Sequence, residues 1–318
     1  MRTSGLLMSM ILGVLPLGAA AQDLVPAKRF ALSQDIDLPG GDIASAFDTT
    51  LDACQRACLA NTQCDAITFN TRNGSCFLKS GPGAGEPYAG AFSGFVLAAE
   101  DGAQARAKAR RGELAFVQDW EIEGIIQQAA NLANDHLTND WTAPDLMTAA
   151  ADAEMQGDFD TASRYVGAAI NLTDAAGDWA EYARLLLVAG EVEGPDQRSY
   201  RDRAYFASVN AYLRAGSAPQ QHSILVTMAE ALEKTDRGRD TVQALRLAQS
   251  LQTRDDTAAY LAQAAGQYGF RIVENRVESD SARPRICVNF SEDLVKSGVD
   301  YTSNRGSITR VNAGRLTG

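Results

Sequence analysis

Four of the five cysteines, Cys54, Cys58, Cys64 and Cys76, fall within 23 residues at the spacing C-x3-C-x5-C-x11-C. That spacing restricts what this part of the chain can become, because four cysteines allow only three pairings. Leu51 to Leu59 reads as a helix with Thr49 or Thr50 as N-cap and Asp52 in the first turn. Cys54 and Cys58 then lie at i and i+4 on one face, where Cβ directions are nearly parallel and a direct bridge is poor. Both sulfurs must reach other elements. Asp65 to Asn70 and Ser75 to Lys79, divided by a turn containing Asn73-Gly74, read as the two strands of a hairpin. A nested arrangement, Cys58–Cys64 inside Cys54–Cys76, ties the helix to that hairpin, and closing the longer loop is worth about 3 kcal/mol on the chain-entropy model. A zinc site is disfavoured: there is no C-x2-C pair, and an oxidising compartment favours bridges over thiolates.

The compartment is read from the start of the chain. Arg2, an apolar run from Leu6 to Leu17 and the small residues Ala19 to Ala21 form a secretory signal peptide, 1–21, cleaved after Ala21. The run is too short for a membrane anchor and carries Pro16. No later stretch is apolar enough to span a bilayer, so the mature chain is expected without a transmembrane segment, secreted or periplasmic. With 29 basic against 40 acidic residues the net charge is −11, a poor match to a phosphate backbone, so no nucleic-acid partner is expected. The only two histidines, His136 and His222, stand far apart, which removes most His-based triads and zinc sites. No nucleophile elbow, P-loop, HExxH or dinucleotide fingerprint occurs, and Gly81-Pro-Gly-Ala-Gly85 lacks the Lys-Ser/Thr of a phosphate loop. The expectation is a non-enzyme with no catalytic residue, no cofactor and no metal.

Asp37-Leu-Pro-Gly-Gly-Asp42, Cys54-Gln-Arg-Ala-Cys58, Cys64-Asp-Ala-Ile-Thr-Phe69, Cys76-Phe-Leu-Lys79 and a closing Ser93-Gly94 together resemble a PAN/Apple domain, without the outermost cysteine pair of the longer Apple form. The resemblance implies one helix against a curled antiparallel sheet over residues 28–98, the same nested disulfide pairing, and contacts to a protein or carbohydrate ligand. Asn70, Arg72, Asn73 and Lys79, at and beside the hairpin tip, are the candidate ligand-binding residues.

Residues 99–112 read as a linker, with Arg106, Lys108, Arg110 and Arg111 as a local basic run. From 113 to 268 the periodicity is helical. Leu114, Val117, Ile122, Ile125, Ala129 and Leu132 mark one helix; Pro144 follows Thr142 at the start of the next, Gly157 ends it, and Phe159 to Ile170 forms its partner. This hairpin resembles a tetratricopeptide unit. Ala149, Ala151, Asp160, Thr161 and Ala168 recur 80 residues later as Ala229, Ala231, Asp240, Thr241 and Ala248, which suggests a short helical array with a surface for a second protein partner. His136 and His222 are expected as surface or packing residues.

After Gly269 the period becomes two, and 269–302 reads as an incomplete β segment carrying the unpaired Cys287, a free thiol. The order of these parts, with Tyr268-Gly-Phe-Arg-Ile-Val-Glu274 and Pro284-Arg-Ile-Cys-Val-Asn-Phe290, resembles the N-terminal part of bacterial alpha-2-macroglobulin-type periplasmic proteins. No cysteine is followed by that family's thioester motif, so protease trapping is not carried over. The remainder, 303–318, reads as a disordered basic tail, the mark of a truncated or frame-shifted end. Asn73, Asn171 and Asn289 lie in sequons, relevant only in a eukaryotic host. The fold class is thus α+β multidomain: PAN/Apple module, all-α tetratricopeptide-like array, incomplete β segment. The expected role is a secreted binding protein that recognises protein or carbohydrate through the PAN/Apple module, as the recognition end of an alpha-2-macroglobulin-like protein. The alternative is a periplasmic adaptor whose helical array is the main binding surface.

Overall fold

The computed structural model describes residues 23–270, 272–278, 285–291, 310–312 and 315–317. The expected signal peptide, 1–21, lies outside the described residues. So does most of the expected tail, 303–318.

The first unit is a five-stranded antiparallel sheet with one helix. Strands β1 (Lys28–Asp37), β2 (Asp42–Ala46), β3 (Ala66–Asn70), β4 (Ser75–Lys79) and β5 (Glu86–Ala98) lie in the order β1-β5-β3-β4-β2. Helix α1 (Leu51–Ala60) starts where Thr50 places its hydroxyl on the Ala53 N–H, removing one of the unpaired donors of a helix start. Its buried face meets Phe30, Leu32, Ile67, Phe69 and Leu78, with all four half-cystines inside the same cluster. The bridges are Cys54–Cys76 and Cys58–Cys64. On the opposite face of the sheet the buried Thr68 and Ser93 hydroxyls pair at 2.7 Å, while Thr68 accepts from the Leu38 N–H and Ser93 lies 2.8 Å from the Ile36 carbonyl. No polar group there is left to pull the sheet open. β5 begins at Glu86. Gly90, at φ +84°, lets the strand turn there, and its N–H donates to Asp35.

Nine helices follow among the described residues: α2 (Ala103–Glu113), α3 (Asp119–Asp135), α4 (Ala143–Met155), α5 (Phe159–Thr173), α6 (Ala176–Ala189), α7 (Gln197–Arg214), α8 (Ala218–Lys234), α9 (Gly238–Leu251) and α10 (Asp255–Tyr268). α4/α5, α6/α7 and α8/α9 stack as consecutive antiparallel hairpins, with α10 against α9. α6 is the central helix, burying Trp179, Tyr182, Ala183, Leu185 and Leu186. Two boundaries differ from the sequence reading. The expected linker 99–112 is largely α2, which buries Ala103 and Ala107 one turn apart and packs against α7. Leu114 and Val117 do not belong to the helix that follows. They lie in the buried turn between α2 and α3, where Arg111 donates to the Leu114 and Val117 carbonyls.

The sheet and the array share a tight junction. The Leu32 carbonyl, on the free edge of β1, accepts from the Thr138 N–H, the Thr138 hydroxyl and the Asn139 N–H. Arg29 donates to the Asn171 and Leu172 carbonyls at the end of α5, where a cation complements the helix dipole. Beyond α10, β6 (Ile272–Glu278) pairs antiparallel with β7 (Arg285–Phe290); two three-residue strands, β8 (Arg310–Asn312) and β9 (Arg315–Thr317), complete the order β6-β7-β9-β8. Cys287 on β7 is a free, half-buried thiol.

Replacing Cys54 and Cys76 together by Ala is expected to cost about 3 kcal/mol of stability, and replacing Cys58 and Cys64 about 2 kcal/mol, following the closed-loop lengths. Urea titration of the two double variants checks both the size and the order.

Candidate functional site

The β3–β4 hairpin tip holds three of the four residues singled out from the sequence, and each has a definable task. The Asn70 side chain accepts from the Arg72 N–H at 2.9 Å and the Asn73 side chain from the Ser75 N–H at 3.1 Å. Both amides are therefore moulding the turn, as short polar side chains do. Gly74 closes it at φ +62°, with its carbonyl accepting from Thr49; a Cβ there would stand 3.0 Å from the Thr49 carbonyl oxygen. Thr71 donates both its N–H and its hydroxyl to the Gly90 carbonyl. Arg72 is left exposed beside Gly90, its guanidinium without an ion-pair partner among the described residues.

Lys79 is different. Its side chain is 4% exposed, its ammonium pairs with Asp42, and it donates to the Gly40 carbonyl. Alternation with Leu78 turns it away from α1, to the other face of the sheet, where it lies beside Asp42 on β2. It therefore fastens β4 to the β1–β2 connection and is not a surface available to a ligand. Sequence adjacency to the tip suggested the opposite, because alternation along one strand does not show which face a loop will cover.

Neither histidine forms a reactive pair. His136 is buried, with Nε2 2.9 Å from the Tyr182 hydroxyl, and Arg203 donates to that same oxygen at 2.5 Å. Arg203 can only donate, so the tyrosine oxygen accepts from it while sharing one proton with Nε2, and Nδ1 has no partner among the described residues. Burial, then the charges of Arg203 and Arg164, push the His136 pKa down to about 4. Gly167 makes room for the ring: a Cβ there would sit 2.3 Å from its Cδ2. His222 is also buried, with Nε2 3.2 Å from the Thr257 hydroxyl.

The three arginines of the basic run on α2 are paired internally, Arg106 with Glu100, Arg110 with Glu113 and Arg111 with Asp119, while Lys108 is exposed. Asn171, in one of the three sequons, is buried and donates to the Leu132 and His136 carbonyls; it is a strut of the fold rather than a surface residue. The array also exposes Trp141, stacked on Tyr165 at 5.7 Å beside Asp140, Asp145 and Asp152, a feature the sequence reading passed over. Among the described residues no three His, Cys, Asp or Glu side chains converge as a metal site, and no helix is long and apolar enough to cross a membrane.

The family model of the PAN domain matches residues 36–79. These run from the end of β1 through β4 and hold α1 and both disulfides, so this segment is a PAN domain; β5 and the rest of β1 complete its sheet. Comparison with curated proteins finds no match to the chain.

Lys79→Ala is expected to destabilise the protein by about 1–2 kcal/mol, as loss of a buried charged donor does, whereas Arg72→Ala should stay within about 0.5 kcal/mol; urea midpoints of the two variants separate the roles. For His136 the folded pKa lies below the unfolded value, so folding favours the neutral ring. Its contribution is full above about pH 6.5 and is lost as pH falls towards 4, about 2 kcal/mol by pH 5. The fall in stability between pH 7 and 5, compared with that of His136→Gln, measures it.

Proposed function

We propose that the chain is a non-catalytic recognition protein of an oxidising, extracytoplasmic compartment, secreted or periplasmic, whose PAN domain binds a protein or carbohydrate partner. The observation that carries this reading is the match of residues 36–79 to a PAN domain, a class of binding modules, on a helix and hairpin fastened by two disulfides. The hairpin tip supports it further: Asn70 and Asn73 hold the turn rigid while Arg72 stays unpaired, an arrangement that loses little freedom on binding. The helical array acts as the scaffold that holds the module by its β1 edge.

The larger context we propose is the recognition end of an alpha-2-macroglobulin-like protein. Support comes from the order PAN domain, helical hairpins, strand pair, and from the free thiol of Cys287 on β7, which suits a bridge to a cysteine farther along such a chain. A second reading, an adaptor that binds through its tetratricopeptide-like helices, is favoured by the exposed Trp141 amid three carboxylates.

Binding of the full chain to a glycan array and to purified envelope proteins of its source tests these readings. Arg72→Glu should reduce retention about tenfold or more, the size of one lost charged contact, with Trp141→Ala without effect. The reverse result selects the adaptor, and unchanged binding in both variants removes the tip from the site.

A further inference from the structure

The junction between the sheet and the array encloses a cleft of about 340 Å³, within the range of small-ligand sites and at the kind of boundary between units where such sites collect. Its two long walls are helical. On α1, Asp52, Gln55, Arg56 and Leu59 recur at helical spacing, and facing them on α3 are Gln127, Ala130, Asn131 and Asn134. Lys28 and Arg29, at the start of β1, close one end. The walls are held in place by the Leu32 carbonyl contacts and by a hydrogen bond from Gln55 Nε2 to Asn134 Oδ1 at 2.8 Å.

Two features define what fits. First, the amides are paired so that each pair keeps a donor and an acceptor in reserve. Gln55 donates to Asn134 and Gln127 donates to Asn131 at 2.8 Å, which leaves Gln55 Oε1 with Asn134 Nδ2, and Gln127 Oε1 with Asn131 Nδ2, unengaged among the described residues. One N–H and one C=O are what a peptide unit offers in return. Second, the cleft is cationic in a chain of net charge −11. Arg56 is matched by Asp52, Lys28 has no carboxylate partner among the described residues, and the hydrogen bonds of Arg29 go to neutral carbonyls. The one aromatic at the wall, Phe30, is 3% exposed, so no open ring is present on which a sugar would stack.

We propose that this cleft binds a short extended peptide carrying a carboxylate, with Lys28 receiving the charge and the two amide pairs receiving the backbone. The inference deepens the recognition reading and rests on it, but it places a second contact away from the hairpin tip.

The test titrates the full chain, by fluorescence polarisation, with random N-acetylated tetrapeptide pools prepared as free acids and as C-terminal amides, and with trigalacturonate as a saccharide acid. Acid-bearing peptides should bind. Lys28→Glu and Ala130→Trp, the latter filling the cleft from an exposed position on α3, should each weaken them about tenfold or more, while Arg72→Glu should leave them unchanged. Binding confined to the free-acid pool identifies the chain terminus as the carboxylate, and equal binding of Asp- and Glu-containing amides identifies a side chain. No binding by either pool, preference for trigalacturonate, equal binding of neutral peptides, or binding untouched by both cleft variants overturns the proposal. Loss of whole-partner retention in Arg72→Glu with peptide binding intact separates the tip reading from this one.

Discussion

The bridge pair from α1 is the constraint on which the first unit rests. A ten-residue helix is too short to hold its shape in water, and a sheet of five-residue strands such as β2, β3 and β4 has little apolar area to offer it. Cys54 and Cys58 convert that weak contact into covalent attachment at two different places, the start of β4 and the turn before β3. With α1 fixed, the sheet has one closed face, and Ile67, Phe69 and Leu78 have a partner to bury against. The hairpin tip is rigid because its base is clamped, so Asn70 and Asn73 need only shape the last turn.

The same economy operates at the junction. An edge strand presents unpaired backbone groups that invite other strands, and β1 solves this on one side by meeting the α3–α4 connection. One carbonyl, that of Leu32, takes three donors from Thr138 and Asn139, while Ala133 and Leu137 from the same region enter the core of the sheet. Arg29 then ties the start of β1 to the end of α5. PAN module and array are therefore held by backbone groups and a helix terminus rather than by a large apolar surface. Such a junction leaves polar side chains standing on its open side, which is how a cleft lined with amides arises there.

Much of this was legible in the sequence because local chemistry wrote it. The cysteine spacing, the Thr50 cap, the Asn73-Gly74 turn and the Pro144 helix start are short-range signals. The 80-residue echo falls on two helix pairs, α4/α5 and α8/α9. What escaped were features decided by distant partners. β1 acquires its strand character from β5, some sixty residues later, and β2 is exposed throughout, so neither shows a clean alternation. α2 was hidden by its arginines, because a composition rich in Ala, Arg and Lys describes a solvated linker as well as a helix that buries only Ala103 and Ala107. Lys79 shared its stretch of sequence with the tip, yet its register turns it inward.

The charged and titratable groups buried in the array are matched inside it. Arg214, fully buried, spends its guanidinium on Asp174 and Asn210 and lies 4.9 Å over the Trp179 ring. Glu121, also buried, is matched by Arg237, which bonds Asp240 as well. His136 is held neutral by burial, hydrogen-bonded to a tyrosine that already serves Arg203. A general acid or base needs a group poised near the working pH and open to a substrate. In the array these groups are instead driven away from it, or paired, to solve problems of packing. Arg72 at the tip and Lys28 at the cleft differ from these: both stand on the PAN module with no carboxylate partner among the described residues.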